Sequence, residues 1–325
     1  GKTGIFDLWS NDFFNYHEQR HARHFYLFSI LAMIRKSIIL CLILFIVYEL
    51  FLRVSDIHWD TSQNDKAENI ISAQDFIFNY SAKEISEDTV ILGTSVSRKL
   101  ITDSLGKHFI NLGFNAWSSY DGLELVKMSK KKPACLMIEM NYVKSQILQP
   151  EIVNNLKPVS YYSGKIFRSL HLSNQPVGLI VGWGKNLMKD RIVELKEKKR
   201  EDVALYESNL KVNRQIMNEA VPDSVLDKRF VKLKSLIDGF KKENVSILFF
   251  EVPISKELEN TASMLAVRRF FNKYFPGNEY QYIPQPVENH YVYSDGVHLS
   301  LGSALDYTLD LKKELNKLGT ARKIY

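Results

Sequence analysis

Two cysteines are all the chain contains, and they make no plausible pair: Cys41 lies inside a long apolar run and Cys135 opens a separate apolar stretch. A disulfide between them would have to cross a membrane boundary. An oxidising compartment would therefore leave no such mark, and the cysteine count is neutral on location. Basic blocks are missing too. The net charge is +6, and the densest charged run, Lys196-Glu197-Lys198-Lys199-Arg200-Glu201-Asp202, mixes signs as a solvated helix face does. That excludes the cationic stripe of a nucleic-acid binder and leaves open a place near anionic lipid or an anionic polymer. No small-residue cleavage pattern follows the apolar run, and there is no internal repeat.

What is present is globular in composition, 45% apolar and 25% charged over 325 residues. The run Ser37 to Leu52 is nearly unbroken hydrophobe, slightly short of the roughly 20 residues that span a hydrocarbon core. A second apolar stretch, Phe25 to Ile34, precedes it, with Arg35 and Lys36 between. Those cations fit lipid headgroups, leaving the earlier stretch along the surface or on a partner; one tilted helix through both stretches is the alternative. Lys2, Arg20, Arg23, Arg35 and Lys36 precede the span, and the segment after it is acidic on balance. The positive-inside bias then puts the N-terminus in the cytoplasm and everything after Leu52 outside.

The expected division is a cytoplasmic or interfacial segment over 1–36, a single-pass signal anchor over 37–54, a linker and first helix over 55–80, and a soluble domain over 81–325. Phe6, Leu8, Trp9, Phe13, Phe14 and Tyr16 make the first segment aromatic enough to lie on a membrane or a membrane partner. His17, His21 and His24 have a helical metal-ligand spacing, but on the cytoplasmic side they read as interfacial histidines.

In the soluble part, apolar strands are expected at Thr89–Leu92, Phe109–Leu112, Cys135–Met140 and Val245–Val252, with a weak fifth at Tyr280–Ile283. Helices are expected at about 70–79, 120–129, 257–274 and 301–317, and a mostly helical insertion at about 151–242. Strands alternating with helices predict an α/β fold, a doubly wound, flavodoxin-like parallel sheet with right-handed crossovers. Ligands bind at the carboxyl ends of such strands. Ser95, Gly113 and Asn141 follow or end three of them.

Ser95 follows Gly93-Thr94 at a strand-to-helix turn, where a hydroxyl would be presented beside a helix N-terminus. The plain reading is a helix cap, and Ser97 competes with it. Asp295-Gly296-Val297-His298 is good turn chemistry that also lets a carboxylate hold an imidazole in one tautomer. Ser95, His298 and Asp295 thus read as nucleophile, base and orienting acid. Gly113 and Asn141 read as an oxyanion hole, although a strand-ending glycine and a turn asparagine have ordinary explanations.

The order Gly-x-Ser, Gly, Asn, then Asp-x-x-His resembles the SGNH (GDSL-like) hydrolase superfamily over roughly residues 89–317. That resemblance implies an SGNH-type domain at 81–325 with Ser95, Gly113, Asn141, Asp295 and His298 in the roles just named, and no cofactor or metal. Two blocks depart from the family: Thr94 replaces the aspartate before the serine, and Glu139-Met140-Asn141-Tyr142 replaces Gly-x-Asn-Asp. Membrane-anchored members resembling the partners of membrane-bound O-acyltransferases imply acylation or deacylation of an envelope polysaccharide, with such a membrane partner and an acyl donor. The alternative is a degenerate scaffold that binds glycan or that partner without chemistry.

Overall fold

The computed structural model describes residues 6–55, 61–62, 64–78, 88–129, 131–143, 150, 154, 157–188, 203–286 and 290–319, with side chains from residue 29 onward. The chain divides into two compact units, Gly1–His58 and Trp59–Tyr325.

The first unit contains one helix, α1 (Phe6–Val54). Its stretch Ser29–Val54, 26 residues in which an 18-residue window reaches a mean hydropathy of 2.6, is long and apolar enough to cross a membrane, consistent with a signal anchor or a signal sequence. At 1.5 Å per residue it covers about 39 Å against a hydrocarbon core of about 30 Å. Arg35 and Lys36 do not separate the two apolar stretches; the helix runs through them. Arginine and lysine propagate a helix nearly as well as leucine, so nothing in the backbone stops there. The single-helix alternative is the observed one.

The second unit runs α2 (Asp65–Phe78), β1 (Thr89–Gly93), α3 (Thr102–Leu105), β2 (Phe109–Gly113), α4 (Ser119–Met128), β3 (Cys135–Glu139), α5 (Pro158–Ile166) and α6 (Pro176–Leu187). It continues with α7 (Val203–Asn218), α8 (Asp223–Lys242), β4 (Ser246–Phe250), α9 (Lys256–Glu259), α10 (Ala262–Tyr274), β5 (Gln281–Tyr282) and α11 (Leu301–Lys317). The five strands form one parallel sheet in the order β2-β1-β3-β4-β5. This is the flavodoxin-like order, whose switch point lies between β1 and β3.

Every residue of β1 and β3 is buried, as continuous apolar runs require when both faces are covered. Alternate side chains feed two cores. Val90, Leu92, Leu136, Ile138 and Phe249 pack with residues of α2, α4, α8 and α10. Ile91, Met137, Leu248 and Phe250 pack with residues of α11 and with Val252 and Ile254. The sheet is thereby covered on two sides, and its carboxyl edge stays open between them.

Helix α2 begins at Asp65, five residues before its expected start. Asn64 Oδ1 accepts the Ala67 N–H at 2.9 Å, and Asp65 and Glu68 occupy the first turn. The acidity that reads as linker is partly the negative end a helix N-terminus favours. The expected helix at 257–274 is two helices, because the Thr261 hydroxyl bonds back to Leu258 O at 2.8 Å and α10 starts afresh after it. Ser300 caps α11 as expected, its hydroxyl accepting from Ser303 N–H. Parts of the expected linker and of the insertion fall outside the described residues.

Phe249 is the test of this core. It is fully buried, and the rings of Phe271, Phe275, Tyr280 and Tyr282 stand 4.9–5.8 Å from it. Phe249→Ala is expected to cost about 3–5 kcal/mol, read as a lower denaturant midpoint at unchanged slope. A loss below about 1 kcal/mol would contradict the assignment.

Candidate active site

Strand β1 ends at Gly93, and the chain turns through Thr94, Ser95 and Val96 into a 3₁₀ turn at Ser97–Lys99. The reason it turns there is Glu139, the last residue of β3. Its carboxylate accepts Thr94 N–H at 2.7 Å, the Thr94 hydroxyl at 2.9 Å and Ser97 N–H at 3.1 Å. A Cβ on Gly93 would sit 2.3 Å from Glu139 Oε2, so only glycine lets the strand pass this close. Burial pushes the Glu139 carboxyl up, against the lowering effect of the hydrogen bonds from Thr94 and Ser97. In the sequence alone Glu139 stands only as a strand residue and as the first residue of the departing third block. The signal was there, since a carboxylate ending an apolar strand must find donors if it is buried.

Ser95 is partly buried at the rim, and its Oγ lies 2.8 Å from His298 Nε2. His298 Nδ1 lies 2.7 Å from Asp295 Oδ2. Asp295 Oδ1 accepts two backbone amides, Val297 N–H at 2.9 Å and His298 N–H at 2.7 Å. Burial raises the Asp295 carboxyl's pKa, but the hydrogen bonds and charge of His298 and these amides together hold it below the ordinary value. An ionised carboxylate only accepts, so Nδ1 carries the proton and Nε2 offers its lone pair to the serine hydroxyl.

The loop carrying this pair is pinned from several sides. Ser294 N–H donates to His298 O at 2.8 Å, Ser255 N–H donates to Gly296 O at 2.8 Å, and Asn213 Nδ2 on α7 donates to Asp295 O at 3.0 Å. Gly296 has φ +85°, a conformation that favours glycine.

The two expected oxyanion donors both make hydrogen bonds within the protein. Asn141 is buried, donating Nδ2 to Val252 O at 2.7 Å and accepting Val252 N–H at 2.8 Å. It ties the loop after β3 to the loop after β4. Gly113 N–H donates to Asn111 Oδ1 at 2.8 Å. Its glycine identity has a steric reason instead, because a Cβ there would sit 2.6 Å from Arg98 N. Ser97, the competing serine, is fully buried with its hydroxyl bonded to Thr94 O at 3.1 Å. Among the described residues the Ser95 backbone N–H has no acceptor, so it is the amide available to a developing oxyanion at this turn.

Ser95 and His298 open on a cleft of about 930 Å³, whose wall includes Asp65, Glu68, Arg98, Asn111, Asn115 and Lys185. Arg98 pairs with Glu68 at 2.6 Å and donates Nη1 to Gly113 O at 3.0 Å, bracing the strand ends. Asn69 and Asn115 exchange two hydrogen bonds, which fix the neighbouring Ala116 at φ 59°, an uncommon conformation for alanine. None of this clamp is visible as a motif, because its members come from separate elements. Among the described residues no group of histidine, cysteine and acidic side chains is disposed to hold a metal. The side chains of His17, His21 and His24 lie outside the described residues.

Two outcomes test this geometry. Glu139→Leu leaves the Thr94 and Ser97 amides unpaired, each costing about 1–3 kcal/mol, whereas Glu139→Gln keeps an acceptor for them and stays closer to wild type in thermal unfolding. A leucine variant as stable as the parent would contradict the role. For Asp295 the folded pKa is depressed, so its contribution is full above the unfolded value of about 3.9 and is lost as pH falls through the folded value. The stability gap between wild type and Asp295→Asn should therefore close at strongly acid pH; a gap independent of pH down to that range would contradict it.

Compared with family models, curated proteins and solved structures, the chain finds no match.

Proposed function

We propose that the chain is an exported, membrane-tethered serine acyltransferase or esterase of the SGNH (GDSL-like) type, acting on a cell-envelope or secreted polysaccharide. The observation that carries the reading is the unbroken line of hydrogen bonds Ser95–His298–Asp295, 2.8 Å and 2.7 Å long, opening on a cleft. Ser95 Oγ attacks the acyl carbonyl while His298 Nε2 takes its proton. Asp295 holds the ring and steadies the imidazolium that forms. The Ser95 N–H faces the charge that develops on the carbonyl oxygen. His298 then returns the proton to the departing alcohol, leaving an acyl ester on Ser95. Water or a sugar hydroxyl, deprotonated by the same histidine, attacks that ester and frees the serine.

The cleft wall favours a hydroxyl-rich substrate. Its asparagine, serine, lysine, arginine and carboxylate groups can exchange hydrogen bonds with a glycan, and a small acyl group needs no apolar tunnel. A membrane-bound O-acyltransferase as partner and acyl source belongs to the same reading, by analogy with the family. The second reading, a scaffold without chemistry, draws on the hydrogen bonds that Asn141 and Gly113 already make to Val252 and Asn111. The serine–imidazole distance weighs against it, since it is within the reach that proton transfer needs.

A fluorophosphonate probe is expected to label the wild-type chain at Ser95 and to leave Ser95→Ala unlabelled. His298→Ala should slow labelling by about 10³-fold or more. Undiminished labelling of a folded Ser95→Ala variant would end the catalytic reading.

A further inference from the structure

Residues 157–188 contain no aspartate or glutamate, although the chain has 37 acidic residues in all. They carry four cations, Lys157, Lys165, Arg168 and Lys185. Within this stretch α6 has an unusual surface. Val177, Ile180, Trp183 and Leu187 are 62%, 67%, 53% and 67% exposed. At about 100° per residue they fall within one arc of roughly 120°. Gly178 and Gly182 are buried on the opposite side, where α6 packs closely: a Cβ on Gly178 would meet Thr61 Cβ at 3.4 Å. The helix thus buries its small residues and presents its large apolar ones. On α5 and just after it, Val159, Tyr162, Ile166 and Leu170 are also exposed, interleaved with Lys157, Lys165 and Arg168.

Exposed apolar side chains, an indole and cations, in a stretch whose own sequence holds no carboxylate, are what a helix needs to lie in the interface of an anionic bilayer. Chain connectivity supplies the occupant. Thr61, the residue α6 packs on, stands seven residues after Val54, where the apolar helix ends. Seven residues span at most about 25 Å, so chain connectivity keeps Thr61 within that distance of Val54.

We propose that the α6 stripe Val177-Ile180-Trp183-Leu187, with the cation-bearing α5, rests in the anionic interface of the bilayer that α1 crosses. The proposal rests on α1 being a membrane span. Its consequence is catalytic geography. Lys185, on the same helix, donates to Ser62 O and lines the cleft, so a docked α6 makes one wall of the cleft part of a lipid-bound element. Acyl donor would then be taken up at the membrane surface.

The test uses the full chain with Cys41→Ala, buried Cys135 left in place, reconstituted alone in discs of phosphatidylcholine with or without phosphatidylglycerol. A nitroxide is placed at Ile180→Cys, at Leu44→Cys within α1, or at Val231→Cys on the exposed side of α8, and its collisions with oxygen and with a water-soluble nickel chelate are compared. The expected result is that the Ile180 probe favours oxygen several-fold over the Val231 probe in phosphatidylglycerol discs. Lys157→Gln/Lys165→Gln should reduce that preference. An Ile180 probe matching Val231 while Leu44 reads lipid overturns the docking alone and points to a protein covering the stripe. A Leu44 probe in water overturns the membrane span beneath it. Equal immersion without phosphatidylglycerol overturns the part assigned to charge.

Discussion

The hydrogen bond between Ser95 Oγ and His298 Nε2 joins residues 203 positions apart, and it persists only if both ends are held by something stiffer than themselves. One end is a turn wired to a buried carboxylate at the close of the neighbouring strand, through three donors from Thr94 and Ser97. The other is a loop whose aspartate accepts two of its own backbone amides and whose carbonyls are held by Asn213 and Ser255. Neither end depends on the other for its shape. Pre-organisation of that kind lets a serine and an imidazole meet without ordering entropy being lost at the moment of reaction.

Glu139 is the costly part of this arrangement. A wholly buried carboxyl, with no cation paired to it among the described residues, is disfavoured in its charged form, and its pKa is raised accordingly. The sequence places it where the turn needs several acceptors at one point, which no apolar residue and no single hydroxyl supplies. Beside it, Gly93 and Gly113 are glycines for a steric reason: one lets the carboxylate approach, the other lets the Arg98 backbone pack on the end of β2.

Much of the fold is readable from the residues. The continuous apolar runs at β1, β3 and β4 predict a parallel sheet covered on both faces, and the sheet order with its switch point between β1 and β3 follows that plan. The contact between His298 and Asp295 is readable too, because the two residues stand three apart in a turn-forming segment and meet through its own hydrogen bonds. The hydrogen-bond partners of Gly113 and Asn141 are not. Gly113 and Asn141 stand at strand ends as the motif order suggests, yet their hydrogen bonds go to Asn111 and Val252. Where a polar group points depends on neighbours brought by other strands, and one-dimensional order carries none of that. The clamp of Glu68, Asn69, Arg98 and Asn115 was hidden for the same reason, as was the α2 start, whose acidic first turn has the composition of a linker.

The proposed function requires that Ser95 become covalently acylated with His298 as its base. The most direct measurement is peptide mass spectrometry of the full chain quenched in acid after brief exposure to p-nitrophenyl acetate. An acetyl ester on the peptide containing Ser95, absent or strongly reduced in His298→Ala, is the predicted result. An unmodified Ser95 in the wild-type chain, or equal acetylation with and without the imidazole, would contradict it.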